Sequence, residues 1–260
     1  MDPTTVLMLT GVAFAAGFFD AIAGGGGLIT LPALMLAGVS PLNAIATNKV
    51  QAAAGSVSAT VAFAKKGLIR WKEGRRLICL SAAGGVLGAL SVSMINPYWL
   101  KAVVPVLLVL VALYFACAPA LNNVPRPQRM SMAMLSFTVA PLIGFYDGFF
   151  GPGTGSFFLV CFVALCGLGI MNAMGFTKLA NASSNLGSLA VFSMSGLIMW
   201  PLALTMAVAA FLGAQLGARA AVRVGPALIK PMIILVCLSL ACKLFLDENN
   251  PIRLFLLATV

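Results

Sequence analysis

The chain has 260 residues, 61% of them apolar and 8% charged, with 16 Lys and Arg against 6 Asp and Glu, a net charge of +10 and no histidine. A soluble domain carries about a quarter charged residues, so a water-bathed surface is excluded, and the missing histidines remove the commonest general base and any Ser-His-Asp arrangement. A positive balance would point to nucleic acid in a soluble chain. Here it sits in short loops between apolar runs, where orientation in a bilayer accounts for it and no nucleic-acid partner is expected.

In chain order, the start lacks the basic region of a signal peptide, so the first apolar run is expected to be retained. That run, 4–39, is interrupted by Gly24, Gly25, Gly26 and Gly27. Three membrane spans are predicted after it, at 42–64, 77–95 and 98–120. The loop 65–76 carries Lys65, Lys66, Arg70, Lys72, Arg75 and Arg76 against one acidic residue, Glu73, and is expected in the cytoplasm. The linker 122–130 is polar, basic and broken by Pro125 and Pro127, hence a cytoplasmic join between a first repeat, 1–121, and a second, 131–250. The second half repeats the plan: an apolar run over 131–170 broken at Gly151, Pro152 and Gly153, then predicted spans at 172–194, 201–222 and 227–246. The tail 251–260 is apolar but too short to span. Cys79, Cys117, Cys161, Cys166, Cys237 and Cys242 lie in apolar runs without metal-ligand spacing, so neither a metal site nor a disulfide framework is expected.

Residues 17–101 and 144–230 are two copies of one sequence. Gly17-Phe18-Phe19-Asp20 matches Gly144-Phe145-Tyr146-Asp147; Lys49 matches Lys178; Gly67-Leu68-Ile69 with Trp71 matches Gly196-Leu197-Ile198 with Trp200. Gly84 and Gly88 match Gly213 and Gly217, small residues one helical turn apart that favour close helix contact. The charges of matching loops are opposite in character. The loop 65–76 is basic while its counterpart, 194–205, has no charge; the stretch at Arg219 and Arg223 is basic while 91–97 is neutral. The expected fold is therefore an all-α polytopic membrane protein of two inverted-topology repeats, each a glycine-broken helical hairpin followed by three transmembrane helices. To keep that parity each leading run must begin and end on one side, as two short crossings or as a re-entrant pair of half-helices. Lipid cannot satisfy the backbone groups freed at the breaks, so these must be buried in protein or line a cavity.

Among the six acidic residues only Asp20 and Asp147 lie deep in apolar sequence, and Lys49 and Lys178 are the matching deep lysines. A charge in a bilayer costs about 3 kcal/mol or more, so such residues pair or face water. One reading is a fixed Asp–Lys ion pair tying each hairpin to the following helix. The other is a binding and coupling site, because Asn43, Thr47, Asn48 and Gln51 gather near Lys49, and Asn172, Thr177, Asn181, Ser183, Ser184 and Asn185 near Lys178. Lys178, Asn181 and Asn185 share one helical face. A helix restarting after a glycine break offers unpaired N–H groups and a partly positive end, suited to an anion. Gly24, Gly25, Gly26 and Gly27, with Gly151, Gly153, Thr154 and Gly155, are thus candidate binding residues.

Asp20 and the four glycines with Pro32, the variant at Asp147 to Gly155, and Asn-Ala-x-x-x-x-Lys at Asn43–Lys49 and Asn172–Lys178 make the chain resemble the sulfite exporter family TauE/SafE over essentially its whole length. The resemblance implies a multi-pass bacterial inner-membrane permease for sulfite, sulfoacetate or related organosulfur anions, with these same stretches as its core. The second copy departs through Pro152 and Thr154 and has no equivalent of Pro32, which points to a division of labour between the halves.

The expectation is a secondary transporter of small anions without a cofactor, binding at the residues above and coupling through Asp20 or Asp147. No nucleotide-binding pattern is present, so an ion gradient is the expected energy source. A cation carrier using the two carboxylates is the alternative, and a membrane-embedded enzyme a distant third. Homo-oligomerisation is left open.

Overall fold

A computed structural model describes residues 1–117, 127–221 and Cys242. Nine helices and no strand occur among the described residues. The first repeat supplies α1 (Pro3–Ala23), α2 (Gly27–Leu36), α3 (Pro41–Lys65), α4 (Trp71–Ser93) and α5 (Pro97–Cys117); the second supplies α6 (Met132–Phe149), α7 (Thr154–Ala164), α8 (Ile170–Met194) and α9 (Trp200–Ala220). The expected spans 42–64, 77–95, 172–194 and 201–222 correspond to α3, α4, α8 and α9, and 98–120 corresponds to α5 as far as Cys117. The span at 227–246, the tail 251–260 and most of the linker lie outside the described residues.

Four helices, at Pro3–Ile22, Trp71–Ser93, Met132–Phe149 and Trp200–Ala220, are long and apolar enough to cross a bilayer. Their outer faces expose large apolar side chains such as Leu7, Leu142 and Val208, while most polar side chains of α3 and α8, Asn48, Lys49, Lys178 and Asn185 among them, are buried. That distribution is the reverse of a soluble protein's: the chain is an all-α polytopic membrane protein.

Each leading hairpin pairs a long arm with a short one, which is neither two short crossings nor two half-helices. The first arms have spanning length, but α2 (10 residues) and α7 (11 residues) reach only about 15–17 Å, half of a roughly 30 Å hydrocarbon core. The first turn of α2 faces the interior: Thr30 bonds Asn48 in the first third of α3.

Packing pairs the repeats rather than joining each to itself. α4 lies along α6 and α1 along α9. A Cβ on Gly84 or Gly88 would collide with the carbonyls of Pro141 or Phe145, and one on Gly213 or Gly217 with those of Phe14 or Phe18. The same four-residue step thus serves both interfaces with the halves exchanged. α3 and α8, the central equivalents, run antiparallel. Thr47 near the start of α3 accepts from the Met199 N–H just past the end of α8, and Gly175 near the start of α8 lies against Leu68 just past the end of α3. Two apolar clusters flank the interior. One holds Leu9, Leu31, Leu34, Leu42, Leu202 and Met206, the other Phe63, Leu77, Phe158, Phe162 and Phe176. The polar residues lie between them.

Candidate functional site

The two helix breaks meet at the centre. α1 stops because Gly24 adopts a left-handed conformation, φ 81°, and returns its N–H to the Asp20 carbonyl. The second break bends at Gly151 and Gly153, φ 100° and 86°. A Cβ on Gly24 would stand 2.5 Å from the Gly155 carbonyl carbon, so the tips touch backbone to backbone.

Each lysine reaches the tip of the opposite repeat. Lys49 donates to the Asp147 backbone carbonyl, to Asp147 Oδ1 at 2.9 Å and to Asn185 Oδ1 at 3.3 Å. Lys178 donates to the Asp20 carbonyl and to Asp20 Oδ2 at 2.8 Å. Each ammonium therefore sits at the C-terminal end of a broken helix, where the dipole favours a cation. The ion pair expected to tie a hairpin to its own following helix instead crosses between repeats. Lys49 and Asp147 are 1% and 2% exposed, whereas Asp20 is 14% exposed.

A recess of about 430 Å³, its mouth included, opens at the tips. It is lined by Asp20, Gly24, Gly26, Gly27, Asn48, Lys49, Asp147, Gly151, Gly153, Thr154, Gly155, Asn181 and Asn185 among the expected residues. Asn43 and Asn172 are not brought in; they sit at the starts of α3 and α8, and Asn172 is exposed. Gly25, Thr177 and Lys178 also lie outside the lining. Thr177 is buried and its hydroxyl has no partner among the described residues.

The recess is chemically lopsided. Asp147 accepts from Lys49, from the Thr154 hydroxyl at 3.1 Å and from the Ser184 hydroxyl, and the Asn185 amide donates to Asn181 Oδ1 at 2.9 Å. The matching positions of α3 are Ala52, Gly55 and Ser56, whose hydroxyl turns back to its own helix at Ala52. On the other side, Thr30 donates to Asn48, and Gln51 donates to Thr30 at 2.9 Å and to Asn48 at 2.6 Å. In the second repeat Thr177 and Ala180 match Asn48 and Gln51, and the stretch 157–159 that matches Thr30 is apolar. Thr30 joins this network without having been anticipated, whereas Gln51 and Ser184 belong to the polar groups read beside Lys49 and Lys178. Gln51 and Ser184 follow Asn48 and Asn181 by three residues, which puts each on the helical face of its asparagine; Thr30 stands two residues from Pro32 with no polar neighbour to mark it.

Fold and site define a class: a polytopic α-helical membrane protein with a buried, charge-paired recess where two repeats meet. The model of the family "Sulfite exporter TauE/SafE" matches residues 9–244, and the chain belongs to that family. It is 46% identical to "Probable membrane transporter protein ORF9" of Sinorhizobium sp. over 94% of either chain. It is 41% identical to "Probable membrane transporter protein YfcA" of Escherichia coli K12 over 96% of this chain and 93% of that one. A "Probable membrane transporter protein" of Haemophilus influenzae is 39% identical over 92% of this chain and 93% of its own length. No solved structure matches the chain.

Proposed function

We propose that the chain is a secondary transporter moving small anions of the sulfite or organosulfonate class, such as sulfoacetate, across the bacterial inner membrane by alternating access. The observation that carries this is the meeting of two glycine-broken helix tips at a buried recess holding lysine and amide groups. Broken helices at the interface of repeats are the usual place of a transporter's substrate site, because only there is non-helical backbone shielded from lipid. The family and the names of the relatives support a transporter. In this reading the repeats lie in opposite orientations across the bilayer, supported by the antiparallel α3 and α8. The end bearing Lys65, Lys72, Arg75 and Arg129 faces the cytoplasm, and an ion gradient drives transport.

A cation carrier would need carboxylates free to coordinate the ion. Both carboxylates at the recess are already engaged by lysine.

The test is flux into proteoliposomes offered sulfite, sulfoacetate, sulfate or a simple carboxylate under an imposed pH gradient. Uptake selective for sulfite and sulfoacetate, lost in folded Lys49→Met protein, is the expected result. Folded protein that carries none of these anions, or carries only a cation, overturns the proposal.

A further inference from the structure

The ammonium of Lys49 has three protons, and the structure gives each an acceptor: the Asp147 carbonyl, Asp147 Oδ1 and Asn185 Oδ1. As it stands, Lys49 has nothing left to offer a ligand. An anion entering the recess would make two negative groups compete for one buried cation, leaving an uncompensated charge where charge is most costly. A proton on Asp147 removes that conflict: the recess stays neutral, the carboxyl keeps its hydroxyl neighbours, and Lys49 turns to the anion.

We propose that Lys49 and Asp147 form a proton-operated latch, so that each monovalent anion enters with one proton carried on Asp147, while the Lys178–Asp20 pair stays closed as a strut. This rests on the anion reading above and adds the coupling ion and its carrier. The proton comes from water on the side the anion enters and forms an O–H on the Asp147 carboxyl; Lys49 stays an ammonium throughout. The pairs differ in ways that assign these roles. Lys49 and Asp147 both line the recess, beside Thr154, Asn181 and Asn185. Lys178 does not line it, so its release would deliver no cation there, and Asp20 Oδ1 is fixed within its own tip by the Gly26 N–H at 3.0 Å.

The surroundings of Asp147 leave the linkage simple. From α3 it meets Lys49, from α7 Thr154 and from α8 Ser184. On α1, Asp20 lines the same recess. The helix that packs along its own, α4, presents Gly85 and Ala89 there, with its charged residues near its start. The α2 helix has no charged residue, and the charge of α9 is Arg219 in its last turn. Tyr146 donates its hydroxyl to the Pro152 carbonyl at 2.6 Å, and Cys161 packs in the cluster around Phe158 and Phe162.

The experiment is binding of methanesulfonate, whose own charge does not change near neutral pH, to the purified protein in detergent across a pH series. Across the series the wild-type Kd is expected to rise with pH, approaching about tenfold per pH unit. Asp147→Asn, with a neutral side chain in place, is expected to bind at every pH with a flat profile, and Asp20→Asn to keep the wild-type slope. A flat wild-type profile overturns the latch without touching the anion reading, and needs no variant to fold. A slope that persists in Asp147→Asn, or vanishes in Asp20→Asn instead, also overturns it. Absence of methanesulfonate, sulfite and sulfoacetate binding at every pH removes the anion reading, and the latch with it.

Discussion

The crossing of the ion pairs between repeats makes a quantitative prediction. Lys49→Met leaves the Asp147 carboxylate, 2% exposed, with the Thr154 and Ser184 hydroxyls as its side-chain donors among the described residues. Asp147→Asn leaves the Lys49 ammonium, 1% exposed, with a backbone carbonyl and Asn185. Breaking a buried pair from one side costs about 3–5 kcal/mol, most of it the price of the charge left behind. The double variant Lys49→Met with Asp147→Asn leaves no charge, so its loss should fall short of the sum of the singles by about 2 kcal/mol or more. Lys49→Met with Asp20→Asn should show no such saving, because Asp20 belongs to Lys178. The assay is unfolding of detergent-solubilised protein by rising SDS fraction, followed by helical circular dichroism, as two double-mutant cycles. Coupling in the Lys49–Asp20 cycle with additivity in the Lys49–Asp147 cycle would refute the crossed pairing and return each lysine to its own hairpin.

Two further outcomes follow from packing and orientation. Gly88→Ala should destabilise by about 1–3 kcal/mol, because its Cβ would meet the Phe145 carbonyl, a backbone atom that cannot move aside. Gly11→Ala, where nothing lies within 4 Å, should be neutral or stabilising by up to about 1 kcal/mol; equal effects in the same SDS assay would contradict the close contact of α4 with α6. For orientation, single cysteines in a cysteine-free background at Ser195 and Lys72 should label oppositely with a membrane-impermeant thiol reagent. Ser195 should react from outside intact cells and Lys72 only after permeabilisation; labelling of both from one side would falsify the inverted arrangement.

Much of the site was legible because its signals are local. Asp20, Asp147, Lys49 and Lys178 stand out as charges in apolar sequence, the glycine runs announce broken helices, and Asn181 and Asn185 follow from helical periodicity. Asn43 and Asn172 belong to the same recurring pattern, yet they lie at helix starts, more than a turn before the lysines, and fall outside the recess. Recurrence in both copies marks a position as constrained but does not distinguish a helix start from a site. Thr30 had no local signal at all; only the folding of α2 back onto α3 gives its hydroxyl Asn48 and Gln51 as partners.

Composition determined that the chain lives in a membrane, duplication that it has two equivalent halves, and the glycine breaks that each half opens with a hairpin. All three depend on residue type and spacing along the chain. Which lysine meets which aspartate was decided only by tertiary structure, since both assignments satisfy the same spacing. The antiparallel packing of α3 and α8 places each lysine beside the opposite tip, and there Lys49 finds Asp147 while Lys178 finds Asp20. The same packing makes two nearly equal halves unequal. It turns Thr154, Asn181 and Asn185 of one repeat toward a recess to which the other brings Asn48 and Gln51 beside Ala16, Gly17, Ala52 and Gly55, because a recess between two repeats takes its chemistry from whichever side chains the fold brings face to face.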